Sequence, residues 1–196
     1  MLPVLSKVFE KYVQKPIYKY LEKNSFLSPN QYAFRKNGST QHPVTYLSDY
    51  IREHMDRGEM TGAMFINLKK AFDTIDHGRL LSKLPCYGIR DRELAWFEDY
   101  LFGRKQFVTF KSVNSERQTV LTGVPQGSVL GPLLFMLLIN DIDLQLQKCE
   151  ILLYADDTVV FTSDKTCEII ESNLNSDLTN LARWFSDNRQ KSLRES

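Results

Sequence analysis

Leu153-Tyr154-Ala155-Asp156-Asp157-Thr158 sets two adjacent carboxylates between the apolar runs 151–153 and 159–161. Short runs rich in Ile and Val read as strands, and a polar dipeptide between them reads as the turn of a hairpin. Such a tip holds both carboxylates at one point. Like charges side by side repel, so a fold keeps them together where solvent or a cation neutralises them, and oxygen donors of this kind suit Mg²⁺ or Mn²⁺. An acidic surface turn also accounts for the dipeptide, because Asp is a common turn residue. On these two residues alone both readings stay open.

The remaining sequence narrows the class. With 196 residues, 42% of them hydrophobic, the chain can bury a core of its own. A formal charge of +1 carries no nucleic-acid signature, so any such binding depends on where the cations cluster. Cys86, Cys149 and Cys167 are widely spaced and match neither a zinc site nor a disulfide framework. They read as reduced thiols of an intracellular protein, in nucleus or cytoplasm. The longest apolar run, 129–139, is too short to cross a bilayer, and the amino terminus lacks a secretory pattern. No membrane partner is expected.

In chain order, Leu5, Val8, Phe9, Tyr12, Val13, Ile17, Tyr20 and Leu21 recur at helical spacing, with Pro16 as a kink or break. Lys7, Lys11, Lys15, Lys19 and Lys23 form a basic ridge along the same segment, fit for phosphate or simply for solvent. Residues 31–40 place aromatics beside Arg35 and Lys36 in a turn-rich loop. Thr40 can cap a helix reaching about residue 57, with Val44, Leu47 and Ile51 inward and Gly58 as its stop. Residues 61–68 read as a buried strand. A helix carrying Leu80, Leu81 and Leu84 follows, then one capped by Asp91 with an aromatic face. Runs 106–110 and 118–121 suggest a hairpin joined through residues 112–116. The loop Gly123-Val124-Pro125-Gln126-Gly127-Ser128 leads into an apolar helix over 133–146, and its glycines allow a backbone to approach a ligand closely. A last amphipathic helix covers 168–184, with Ile169, Leu174, Leu178 and Leu181 inward.

Three ordered segments now carry a resemblance. Residues 65–77 (Phe-Ile-Asn-Leu-Lys-Lys-Ala-Phe-Asp-Thr-Ile-Asp-His), 123–132 (Gly-Val-Pro-Gln-Gly-Ser-Val-Leu-Gly-Pro) and Tyr154-Ala155-Asp156-Asp157 resemble the core motifs of reverse transcriptases encoded by non-LTR, LINE-type, Jockey-like retrotransposons. The similarity extends from Leu2 through Leu27-Ser28-Pro29-Asn30-Gln31 to Trp184-Phe185. It implies an α+β polymerase right hand, with an antiparallel palm sheet backed by helices. Residues 1–196 would form one reverse transcriptase domain, 1–60 mainly fingers and 61–196 mainly palm. Thumb and endonuclease are not expected within this stretch.

The resemblance implies RNA-directed DNA synthesis: two-metal nucleotidyl transfer to a DNA primer 3′-hydroxyl, on an RNA template, from deoxynucleoside triphosphates. Two Mg²⁺ (or Mn²⁺) ions are implied, with Asp156 and Asp157 as catalytic ligands and Leu68 as a further metal position. Phe72 would lie under the incoming sugar and exclude a 2′-hydroxyl. Gln126 and Gly127 would lie against nucleotide and template, and Arg35 would reach the triphosphate.

One position departs from the pattern. Asn67 stands where the first catalytic aspartate belongs, offering a neutral amide oxygen in place of a carboxylate. The expectation is therefore a reverse transcriptase domain with weak or absent chemistry. The alternative is a decayed or repurposed copy that binds nucleic acid without catalysis.

Overall fold

A computed structural model of the chain describes residues 3–35, 38–68 and 70–188. The expectations for Lys36, Asn37 and Lys69 lie outside the described residues. Helix α1 (Val4–Lys23) runs through Pro16 as one element, and α2 (Gln41–Asp56) ends before Gly58, whose φ of +72° suits glycine. Strand β1 (Met60–Asn67) leads into the two helices expected from the leucine and aromatic patterns, α3 (His77–Lys83) and α4 (Asp91–Leu101). Four two-residue strands follow: β2 (Lys105–Gln106), β3 (Thr109–Phe110), β4 (Val113–Asn114) and β5 (Gln118–Thr119). Helix α5 (Gly131–Ile139), strands β6 (Glu150–Tyr154) and β7 (Asp157–Asp164), and helix α6 (Cys167–Asp187) complete the chain.

The main sheet is antiparallel, in the order β1-β7-β6. Its register sets Asn67 opposite Asp157, and Tyr154 opposite Asp157 across the hairpin. Residues 30–32 run beside β6, where Tyr32 N donates to Leu153 O at 2.9 Å and Leu153 N to Asn30 O at 2.9 Å. Helix α6 packs against β1 and β7, while α2 also meets β1 and sets the Tyr50 ring 4.8 Å from that of Phe161. Helix α5 is apolar on every side and buried along its length, so it forms the centre of the core. Around it gather α3, Leu21 of α1, and Phe97 and Leu101 of α4. This is the α+β arrangement the resemblance implied.

Several local expectations change. β1 is not buried but an edge strand of alternating exposure, with Phe65 75% exposed. Leu5, Val8, Phe9 and Tyr12 are exposed, so only the later turns of α1 bury their apolar stripe. Helix α5 ends at Ile139 rather than near residue 146, because Asn140 is taken up by the 26–28 turn: its amide donates to Phe26 O at 2.6 Å, and its side-chain oxygen accepts from Ser28 N at 2.7 Å. In α6 Ile170, not Ile169, faces inward over Gly62. The expected hairpin at 106–121 exists as two short ladders, β2 with β5 and β3 with β4. Among the described residues, no helix is long and apolar enough to cross a membrane.

Candidate active site

The acidic hairpin is as tight as a hairpin can be: Ala155 and Asp156 form the turn, and Tyr154 pairs with Asp157 across it. Ala155 has φ +56°, the left-handed conformation that primed two-residue hairpin turns require. Gln31 steadies the tip from beneath. Its buried Oε1 accepts from Ala33 N at 3.0 Å and from Ala155 N at 3.4 Å. Asp156 lines a cleft of about 440 Å³ together with Lys70, Phe72, Asp73, Gln126 and Gly127.

The facing wall is the loop 123–131, stitched down at both ends. At its start Gly123 (φ +81°) lies so close to Asp73 that a Cβ there would meet the Asp73 carbonyl oxygen at 2.7 Å. Gly123 N donates to Ile75 O at 2.8 Å, Val124 N to Phe72 O at 3.0 Å and Thr122 Oγ1 to Asp73 O at 3.1 Å. At its end the anchor is Glu10, a carboxylate 3% exposed on α1. Its Oε2 accepts from Ser128 Oγ at 2.9 Å and from the backbone amides of Val129 and Leu130 at 2.6 and 3.4 Å. Its Oε1 accepts from Tyr100 Oη at 2.8 Å. A carboxylate at the start of α5 satisfies amides that the helix leaves free and complements its dipole. Burial, together with the Glu10 acceptor, pushes the Tyr100 hydroxyl up to about 12.

The expected site residues fall into three groups. Asp156, Phe72, Gln126 and Gly127 share the cleft, with Phe72 packed on Phe135 at 4.8 Å between ring centroids. Phe72 is thus both core and cleft wall. Asp157 and Asn67 face each other in register beside it, both exposed, and the neighbouring Leu68 is buried, its apolar side chain able to offer a cation nothing beyond its main chain. Arg35 lies apart. It pairs with Glu22 through Nε at 3.1 Å and Nη2 at 3.2 Å, donates through Nη1 to Ser28 O at 3.0 Å, and borders a separate cavity of about 830 Å³ with Lys15, Lys19 and His42. Its guanidinium holds the Glu22 carboxyl below the usual carboxylate range.

Glu10, Gln31 and Lys70 were not singled out by sequence reasoning. Glu10 left one signal, a lone acid on the helical stripe that carries Val13 and Ile17. Among the described residues, no three His, Cys, Asp or Glu side chains gather as a ready-made metal cage. The donors present nevertheless fit Mg²⁺, which keeps several waters and is commonly bound by one or two carboxylates plus substrate phosphates.

Comparison with known proteins identifies the family and the fold. Residues 1–192 match the family model described as reverse transcriptase (RNA-dependent DNA polymerase). The chain is 30% identical over 197 residues to the probable RNA-directed DNA polymerase from transposon BS of Drosophila melanogaster, covering 94% of this chain and 21% of that protein. With the RNA-directed DNA polymerase from mobile element jockey of Drosophila funebris it shares 30% identity, over 88% of this chain and 19% of the other. It spans about a fifth of the length of these curated relatives. Among solved structures, telomerase from Candida albicans in complex with a fragment of telomeric RNA aligns with a TM-score of 0.72 at 13% identity, over 97% of this chain and 34% of that one. Apo telomerase from Candida tropicalis aligns at 0.67 with 9% identity, over 97% and 36%. At such identities the likeness is one of fold.

Proposed function

The chain belongs to the reverse transcriptase (RNA-dependent DNA polymerase) family, and from that membership and the cleft we propose an RNA-directed DNA polymerase domain of a non-LTR retrotransposon whose own chemistry is weak. The observation that carries the reading is the convergence of Asp156, Phe72 and Gln126 on one cleft, with Asn67 in register against Asp157 at its edge. In this proposal residues 1–60 are mainly fingers and 61–196 mainly palm.

Asp156 and Asp157 would hold divalent cations, Mg²⁺ or Mn²⁺, with the Asn67 amide oxygen and the Leu68 main chain beside them. When bound, two such ions lower the pKa of the primer hydroxyl and stabilise charge on the phosphoryl group as pyrophosphate leaves. The chain's own residues do the positioning. Phe72, backed by Phe135, offers a ring that would sit under the deoxyribose and leave no room for a 2′-hydroxyl. Gln126 can donate and accept along nucleotide or template, and Gly127 lets the backbone approach closely. Lys70, on the same lining, supplies a cation for phosphate oxygens. Arg35 would reach a triphosphate only by leaving Glu22.

Asn67 sets the expected rate. If its missing charge removes about 4 kcal/mol of transition-state stabilisation, extension falls roughly a thousandfold. The test is nucleotide incorporation on an RNA-templated DNA primer by the chain and by Asn67→Asp, with hybrid affinity measured alongside. Extension that rises in Asn67→Asp and vanishes when Asp156→Ala is added supports the polymerase. The same lost charge favours a second reading, a nucleic-acid binder without catalysis. Hybrid affinity that falls with rising salt, with no extension by any variant, would select it.

A further inference from the structure

Two features are left unused by the cleft, the basic ridge of α1 and the cavity of about 830 Å³, and they coincide. Lys15 and Lys19 line that cavity together with Tyr18, Glu22, Gln31 and Arg35. The two lysines lie one helical turn apart on α1, where like charges repel unless an anion sits across them. Both are exposed, and neither forms an ion pair among the described residues. Glu22 is the one acid on this lining, and its oxygens are engaged elsewhere. Its Oε1 accepts from Arg35 Nε at 3.1 Å and from Tyr18 Oη at 2.7 Å, and its Oε2 accepts from Arg35 Nη2 at 3.2 Å. Lys15, Lys19 and Arg35 against Glu22 alone leave the wall in positive excess.

A second observation, independent of charge, comes from Gln31, which is 3% exposed. Its Oε1 accepts from Ala33 N and Ala155 N, so the amide has one orientation: flipped, it would set N–H against N–H. Its Nε2 then has no partner, although Gln31 is part of the cavity wall and buried donors are ordinarily satisfied. Cations and a spare donor on one wall, with the only carboxylate already bonded, select a ligand made of acceptors. A phosphate group accepts on each of its free oxygens and is bound most strongly by charged donors. The volume is that of a small-molecule site, and Tyr32 and Pro29 add apolar surface to it. We propose that this cavity binds a small phosphate-bearing anion, in the class from inorganic phosphate to a mononucleotide, with Lys15 and Lys19 supplying charge and Gln31 Nε2 the buried donor. Arg35 stays on Glu22 and serves as wall. The site goes beyond the polymerase reading and does not rest on it.

The test is nuclear magnetic resonance of the isotope-labelled chain, following the Gln31 side-chain amide as inorganic phosphate, uridine monophosphate or uridine is added. The result expected is a saturable shift with a Kd of about 1 mM or tighter for a phosphate-bearing ligand, and none for uridine. Tighter binding of the monophosphate than of phosphate assigns the site to a nucleotide, and equal binding assigns it to free phosphate. Lys15→Gln/Lys19→Gln should weaken binding about tenfold or more. Lys11→Gln/Lys23→Gln removes two charges of the same ridge from outside the lining and should change it by less than about twofold. Side chains this exposed can be replaced without unfolding, which circular dichroism verifies. A Gln31 amide indifferent to both phosphates overturns the proposal, because a bound water would then be its only partner. Equal losses in the two lysine pairs also overturn it, since the ridge as a whole would then attract the anion. Uridine binding as tightly as its monophosphate does so too, as does a response to a short RNA strand but to neither small phosphate. Primer extension plays no part in this experiment, so the polymerase reading can fail separately.

Discussion

The two walls of the cleft are built by opposite means. The acidic wall is local: a two-residue turn joins β6 to β7, and Asp156 and Asp157 are in place once these strands pair. The glycine wall is assembled from afar, with Ser128 bonded to Glu10 across 118 residues of sequence and Gly123 pressed on Asp73. One wall therefore carries charge at little structural cost, while the other carries structure through a buried charge. Substitutions in the two should have opposite signatures, large on ligand and small on stability in the first, the reverse in the second.

The strongest way to break that contrast is Glu10→Ala. It strips the acceptor from Ser128, Tyr100 and two backbone amides, and buried donors left unpaired cost about 1–3 kcal/mol each before relaxation. A net loss of about 3 kcal/mol in urea denaturation is expected, with faster amide exchange in the 123–131 loop. A loss below about 1 kcal/mol would mean that the loop supports itself.

Gly123→Ala tests the other end of the same wall. A methyl group there meets the Asp73 backbone at a φ that alanine rarely adopts, so a loss of about 2 kcal/mol is expected by thermal or urea melting. Asp156→Ala, in the acidic wall, should change stability by less than about 0.5 kcal/mol while weakening divalent binding, because its turn is held by backbone pairing and Gln31. A large destabilisation would show that the carboxylate has a structural partner.

The smallest effect concerns pH. Arg35 lowers the Glu22 carboxyl, so the stabilisation from this pair is fully present above the ordinary carboxylate pKa and is lost as pH falls through the lowered folded value. Glu22→Gln should flatten the acid limb of a stability–pH curve slightly, since the pair is partly exposed.

The same contrast explains what could be read in advance. The Asp156-Asp157 tip, the strand ending at Asn67 and the helices around it follow from short-range periodicity, and the polar dipeptide announces its own turn. The edge position of β1 was hidden, because a run such as Ala63-Met64-Phe65-Ile66 looks the same whether one face or both are covered. Glu10 was hidden for a related reason: an acid on an apolar helical stripe signals a buried partner but not which one. Arg35 was legible as a cation near aromatics. Its commitment to Glu22 was not, since a bend at residues 24–35 brings them together.

In the proposed polymerase the acidic wall is one charge short, and divalent binding measures this without requiring any turnover. Mn²⁺ titration of the chain, Asn67→Asp and Asn67→Asp/Asp156→Ala, followed by electron paramagnetic resonance of the free ion, reads it directly. A carboxylate opposite Asp157 should tighten Mn²⁺ by about tenfold or more, and the gain should disappear when Asp156 is removed. Equal affinity of the chain and Asn67→Asp, or a gain that survives Asp156→Ala, would contradict the account.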